Sequence, residues 1–264
     1  MAWQINIRRK TMKKTNTVYG CITGIKTNSE ITKVIADMVK EGVDPSEILS
    51  LFGVAATAET VRKSLENELG QPVPASTVTT FYEFEKSIMT KEWKDLGFDK
   101  EPAVISNVEN NAVIAEILGA DTDWDAEFQA EDVDRDIHCV ASDVFAAVKI
   151  AKKLETDPVC EADYMLNEEL GIETVRRIVA LYDKYESRLK RDGLIHYEDM
   201  DDCVIDYLED HPGYVETNYG FTHVVIDYRS ATLQQIELVT KMGIKSITLI
   251  VDEDVMPGEG AELI

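Results

Sequence analysis

The chain has 264 residues, 44% of them hydrophobic, and a formal net charge of −23. Its length and composition are those of a globular protein with one large domain or two smaller ones. An acidic surface repels nucleic acid and anionic membranes, so we expect nucleic-acid binding to be weak or absent. No run of 18 apolar residues occurs, and we therefore expect no membrane-spanning helix.

The first 16 residues form a polar, basic segment without the apolar stretch of a signal peptide. The four cysteines and four histidines are scattered along the chain and show no metal-ligand spacing. This pattern is typical of free thiols in a reducing compartment. We therefore expect a cytoplasmic protein without a cysteine- or histidine-based metal centre.

Residues 17–35 follow the plan of a phosphate-binding loop: a short strand over 17–19, a loop with Gly20 and Gly24, and a helix that begins near Lys26 and Thr27. In the pattern G-x-x-x-x-G-K-[ST], Gly20, Lys26 and Thr27 match. Such loops hold phosphate because backbone N–H groups and the helix N-terminus point at it.

Ile25 stands where the second glycine of this pattern belongs. A β-branched side chain suits neither an unusual backbone conformation nor close approach by a phosphate. The sequence therefore predicts a vestigial nucleotide site, formed by Gly20, Gly24, Lys26 and Thr27, with no cofactor or only weakly bound ATP and Mg²⁺.

Strands and helices alternate along the N-terminal third of the chain. Hydrophobic periodicity predicts helices over 28–40 and 55–69, and β-branched or apolar runs predict strands over 48–52 and 77–81. Alternation of this kind indicates an α/β fold with a parallel sheet flanked by helices.

Between residues 84 and 200 helical patterns dominate, and this stretch holds most of the excess negative charge. Helices are predicted over 84–93, 110–118, 144–154 and 170–191. We expect 91–199 to form an acidic, mainly helical subdomain inserted into an α/β domain made of 17–90 and 200–264. A solvated exterior is one interpretation of the charges. Imitation of DNA phosphates is the other.

The α/β pattern then returns, with helices predicted over 200–208 and 233–242 and strands over 222–226 and 247–251. Asp227 and Asp252 follow these strands directly. In a protein with a phosphate loop, an aspartate in this position is where Mg²⁺ is normally held. Thr27 and Asp227 are therefore the candidate ligands of a vestigial Mg²⁺ site, and an ordinary polar strand end is the alternative.

In order and spacing these segments resemble the N-terminal half of superfamily 1 helicases of the UvrD/Rep/PcrA type. The resemblance implies a RecA-like 1A domain of the P-loop NTPase type with an inserted 1B subdomain. The stretches that carry it are KTNSEITKVI (26–35), GVDPSEILSL (42–51), VTTFYEF (78–84), residues 96–118 and 182–200, VVIDY with LQQIEL (224–238), and LIVDED with GA (249–261).

The phosphate-loop region departs from this family at positions that carry its chemistry. Cys21, Thr23 and Ile25 stand where the family has glycines, and motif Ia reads FGVAATA at 52–58. The next DNA-contacting motif has Tyr82 and Glu83 where histidine and serine are usual. The resemblance therefore implies that phosphate and single-stranded DNA contacts are lost.

Motif II of the family, D-E-x-Q-D, reads D-Y-R-S-A at 227–231. Asp227 remains, but Tyr228 replaces the glutamate that activates water, and Ser230 replaces the glutamine that senses the γ-phosphate. In motif III, Val255 stands at the position of a second γ-phosphate glutamine. We expect no catalytic residues.

The resemblance ends at motif III, and we expect the family's second RecA-like domain to be absent. That domain supplies an arginine finger, which contributes roughly 10³–10⁵ in rate. The sequence thus predicts a non-catalytic, helicase-like interaction or structural module with a protein partner. One alternative is an ATP-binding helicase subunit completed by a partner chain. The other is an acidic DNA mimic that inhibits a nucleic-acid enzyme.

Overall fold

The computed structural model describes residues 8–11, 18–25, 27–119, 137–154, 156–166 and 170–251. The chain divides into two compact units. Unit 1 comprises the residues up to Lys91 together with those from Met200 onward, and unit 2 comprises Glu92–Asp199.

Unit 1 is built on a six-stranded sheet with helices between its strands. The strands are β1 (Arg8–Thr11), β2 (Val18–Thr23), β3 (Ile48–Phe52), β4 (Val78–Thr80), β7 (His223–Asp227) and β8 (Ser246–Val251); the helices are α1 (Asn28–Lys40), α2 (Ala55–Leu69), α3 (Phe81–Glu92), α9 (Met200–Asp210), α10 (Tyr214–Tyr219) and α11 (Leu233–Lys241). The strand order in the sheet is β1-β2-β8-β7-β3-β4, and all neighbouring strands are parallel except β1 and β2. This arrangement confirms the predicted α/β class.

The central strands form because their side chains are buried on both faces. All five residues of β3 are buried, which is why its sequence reads ILSLF rather than as an alternation of polar and apolar residues. The apolar faces of α1 and α2 meet one face of the sheet, where Ile35 and Leu65 join Phe52 and Val225 in one core. These contacts hold the loops after β2 and β3 at the carboxyl edge of the sheet.

Strand β1 lies in the segment that the sequence predicts only as polar and basic. It pairs antiparallel with β2, so that Arg9 lies opposite Gly20. A polar edge strand buries little apolar surface and lacks the apolar pattern on which strand prediction depends.

Unit 2 is mainly helical and has its own core. Its described elements are β5 (Ala103–Ile105), α4 (Asn107–Gly119), α5 (Ile137–Leu154), α6 (Pro158–Met165), α7 (Ile172–Val179), α8 (Tyr182–Asp192) and β6 (Leu194–His196). Helix α5 packs against α4, α6 and α7, and β5 pairs in parallel with β6. Inside the core the Tyr185 hydroxyl donates a hydrogen bond of 2.7 Å to the buried Asn110 side chain.

The prediction of one helix over 170–191 is wrong, because the chain turns at Ala180 and Leu181 between α7 and α8. The Leu181 amide donates to the carbonyl of Ile178, three residues back, and this tighter bond ends the helix. Apolar periodicity continues through the turn since Leu181 and Tyr182 are both buried.

The helices that the structure describes lack the combination of length and apolar character that a membrane span requires. The four cysteines all lie among the described residues, and none of them forms a disulfide bond.

Candidate nucleotide site

The residues predicted to hold a nucleotide lie at the carboxyl edge of the sheet of unit 1. Thr23 ends β2 and Asp227 ends β7, with β8 between the two strands. In open parallel α/β sheets ligands bind at this edge, because the loops that follow the strands meet there. Asp252 and Val255 lie outside the described residues.

Gly20 does not lie in a loop, contrary to the prediction. It is an interior residue of β2, opposite Thr248 of β8 on one side and Arg9 of β1 on the other. Pairing on both sides satisfies the backbone of this segment, so the strand continues to Thr23. The connection from β2 to Thr27 is thereby reduced to residues 24–26, which leaves few N–H groups to surround a phosphate.

The remaining loop folds onto the core. Gly24 has φ +83°, a conformation that favours glycine. Ile25 is only 8% exposed and packs into the same apolar core as Ile31 and Ile35. Burial of the Ile25 side chain draws the loop towards α1. Lys26 lies outside the described residues.

Thr27 is the N-cap of α1, and its polar groups are bound within the chain. The Thr27 amide and hydroxyl donate to Glu30 Oε2 at 2.9 and 3.0 Å, and the Glu30 amide donates back to the Thr27 hydroxyl at 3.3 Å. This is a reciprocal capping box. The groups that a phosphate or a metal would use here are therefore occupied by a carboxylate of the same helix.

Asp227 is 5% exposed and forms an ion pair with Arg229. Arg229 Nε and Nη2 donate to the two carboxylate oxygens at 2.6 and 3.0 Å. Its Nη1 donates to the carbonyl oxygen of Ile25 at 3.2 Å. The guanidinium group thus joins the end of β7 to the loop after β2. Sequence reasoning missed Arg229, although an arginine two residues after a strand-end aspartate was the available signal.

Tyr228, Arg229 and Ser230 form a 3-10 turn directly after β7. The Ser230 hydroxyl donates to the Asp227 carbonyl at 3.2 Å and accepts from the Gly53 amide at 3.1 Å. Ser230 therefore ties the ends of β7 and β3 together.

Three exposed apolar side chains lie on the same edge, each shortly after a strand. Val54 follows β3 and is 53% exposed, Tyr82 follows β4 and is 39% exposed, and Leu233 follows β7 and is 84% exposed. Gly53, Ala55 and Ala56 are exposed beside Val54. We call Val54, Tyr82 and Leu233 the apolar edge. In the sequence, the apolar residues Val54, Ala55 and Ala56 of motif Ia indicate the part of this surface that follows β3.

The profile of the UvrD/REP helicase N-terminal domain matches residues 20–255. The chain belongs to this family. Its parallel sheet with flanking helices is the RecA-like arrangement expected of the family's N-terminal domain. A comparison with curated protein sequences found no match.

Family membership implies Mg²⁺ at Asp227 and phosphate at the loop and N-terminus of α1. The described residues do not fit these ligands. Both oxygens of Asp227 accept hydrogen bonds from Arg229, and the Thr27 hydroxyl and amide bind Glu30. In the described part of this edge, the side chains at the positions where the family binds Mg²⁺ and phosphate, Asp227 and Thr27, are already hydrogen-bonded within the chain.

Proposed function

We propose that this UvrD-like domain is non-catalytic and works as a helicase-like module that binds a protein partner. One observation carries the proposal: the carboxylate of Asp227 is paired with Arg229. The sequence agrees with it, because the residue that follows Asp227 is Tyr228. In the family this position holds the glutamate that activates water.

Hydrolysis of ATP requires a metal-bound phosphate and a positioned base. Loss of a general base costs about 10²–10⁴ in rate. The Tyr228 side chain carries no carboxylate, and a partner chain cannot supply one at that position. The bond from Arg229 to the Ile25 carbonyl further supports loss of the reaction, because it closes the loop against β7.

The apolar edge supports protein binding. Aromatic and aliphatic side chains are enriched at the centre of protein interfaces, whereas nucleic-acid surfaces depend on unpaired lysine and arginine. Val54, Tyr82 and Leu233 expose apolar surface after β3, β4 and β7, which lie next to one another in the sheet. A partner with a complementary apolar surface would cover it.

The inserted unit 2 favours a protein partner over mimicry of DNA. Unit 2 carries an excess of negative charge, but some of its carboxylates are bound within the chain: Lys149 pairs with Asp199, and Arg188 pairs with Asp192 and Glu116. A paired carboxylate presents less negative charge to a nucleic-acid enzyme than a DNA phosphate does.

An ATP-binding subunit completed by a partner chain is the second candidate. Gly24 keeps a left-handed conformation, and Thr27 keeps its place at the N-terminus of α1, as in a working phosphate loop. The two candidates differ in one measurable property, which is Mg²⁺-dependent turnover of ATP.

The first experiment measures ATP binding by calorimetry and ATP hydrolysis with and without single-stranded DNA. We expect no binding and no turnover above that of Asp227→Asn, which removes the family's metal ligand. Turnover that requires Mg²⁺ and is lost in Asp227→Asn or Lys26→Ala would favour the second candidate.

The second experiment tests the apolar edge with immobilised protein and extract from the source organism. Leu233→Asp and Tyr82→Asp place a charge on the edge. Val108→Asp is the matched control, since Val108 is 80% exposed but lies in unit 2. We expect a partner that the wild type and Val108→Asp retain and that both edge variants lose. Equal retention by all four proteins would place the partner elsewhere.

A further inference from the structure

We infer that Arg229 replaces the divalent cation of the family's nucleotide site and makes this edge of unit 1 stable without metal or nucleotide. The Asp227–Arg229 ion pair holds the edge together whether or not a protein partner binds unit 1.

Asp227 is a buried carboxylate. A carboxylate that is 5% exposed is unfavourable unless a cation or several hydrogen bonds compensate its charge. Arg229 provides both through two parallel N–H···O bonds of 2.6 and 3.0 Å. Bidentate pairs of this type are among the strongest hydrogen-bonded contacts in proteins.

Arg229 also contacts the loop after β2, which is where the family's phosphate loop lies. Arg229 Nη1 lies 3.2 Å from the carbonyl oxygen of Ile25, so one guanidinium joins two segments that β8 separates in the sheet. In a phosphate-loop protein a bound Mg²⁺ with its nucleotide connects the strand-end aspartate to the same loop. Arg229 makes the corresponding link with a charge that is part of the chain.

The Arg229 guanidinium also keeps a divalent metal ion away from Asp227. Both oxygens of Asp227 already accept hydrogen bonds from a cation whose side chain is only 23% exposed. A divalent ion would have to displace this pair and would meet the positive guanidinium as it approached. We therefore expect Mg²⁺ to leave the stability of this edge unchanged.

The test is a double-mutant cycle on the full chain with Arg229→Ala, Asp227→Asn and the double variant. Thermal unfolding is followed in EDTA and in MgCl₂. We expect Arg229→Ala to lower the midpoint by about 10 °C, because it leaves Asp227 buried and unpaired. In the Asp227→Asn background the same substitution should have a much smaller effect. The wild-type midpoint should be the same in EDTA and in MgCl₂.

Two results would overturn the inference. The first is an equal effect of Arg229→Ala in both backgrounds, which would mean that the ion pair does not hold the edge. The second is a wild-type midpoint that rises with MgCl₂. If Arg229→Ala does not fold, Arg229→Lys takes its place in the cycle, and the same comparison applies because lysine cannot form the bidentate pair. Neither readout depends on ATP turnover or on a partner.

Discussion

The amide nitrogen of Gly53 lies 3.1 Å from the hydroxyl oxygen of Ser230, and it donates a hydrogen bond that joins the end of β3 to the turn after β7. The approach is so close that a Cβ atom on Gly53 would lie 2.3 Å from the Ser230 carbonyl oxygen. The carboxyl edge of unit 1 is therefore held by direct contacts between its own strands and turns.

Gly53→Ala should destabilise unit 1. The added methyl group must push back the Ser230 backbone, and overpacking of this kind costs about 1–3 kcal/mol. Urea unfolding provides the measurement. Gly119→Ala is the control, because a Cβ there would come within 4 Å of no non-neighbouring residue that the structure describes, and it should leave stability unchanged or slightly higher. Equal stability of Gly53→Ala and wild type would show that the segments around Gly53 and Ser230 can move apart without loss of stability.

Glu85→Gln should raise stability at neutral and alkaline pH. Burial, with a smaller contribution from the nearby Asp201 carboxyl, raises the pKa of Glu85 from its ordinary 4.5 to about 10. Between these values the folded chain holds a proton that the unfolded chain has released, so stability falls as pH rises from about 4.5 to about 10. At pH 7 the variant should gain up to about 3 kcal/mol.

The measurement for Glu85→Gln is urea unfolding at pH 5 and pH 8. The difference between variant and wild type should widen at the higher pH. Glu83→Gln, an exposed position on the same helix, serves as the control. A difference that does not change between the two pH values would contradict a buried, protonated Glu85.

Tyr185→Phe should destabilise unit 2 more than Tyr182→Phe. The Tyr185 hydroxyl bonds to Asn110, which is 4% exposed, so its removal leaves a buried amide oxygen without this donor. Such a loss costs about 1–3 kcal/mol. The Tyr182 hydroxyl bonds to Glu186 in a partly buried position, where water can substitute. Chemical unfolding of the two variants gives the comparison, and a reversed order would show that the Asn110 contact is not the important one.

Thr27→Ala should weaken α1 without changing nucleotide binding. Thr27 and Glu30 form the capping box of this helix, and loss of such a cap costs about 1 kcal/mol. Thr232→Ala removes the equivalent capping box, between Thr232 and Gln235, from α11 and should cost a similar amount. Unfolding of both variants, with calorimetry of ATP binding, separates structure from ligand binding. ATP affinity that is present in the wild type and lost only in Thr27→Ala would give Thr27 a ligand-binding role.

The predictable part of this fold is the part with strong hydrophobic patterning. The buried run ILSLF predicts β3, and the helix over 28–40 matches α1 residue for residue. The edge strand β1 and the turn at Ala180 and Leu181 escaped prediction, because the first has no apolar pattern and the second does not interrupt one.

The sequence alone determined the family, the α/β class and the presence of a tyrosine, Tyr228, directly after the strand-end Asp227, since these depend on residue identity and order. Only the tertiary structure decided what Gly20 and Arg229 do. Whether a glycine lies in a loop or a strand depends on the strands beside it, here β1 and β8. The bond between Arg229 and Ile25 joins residues 204 positions apart, and no local pattern predicts a contact that forms only when the sheet brings two strand ends to one edge.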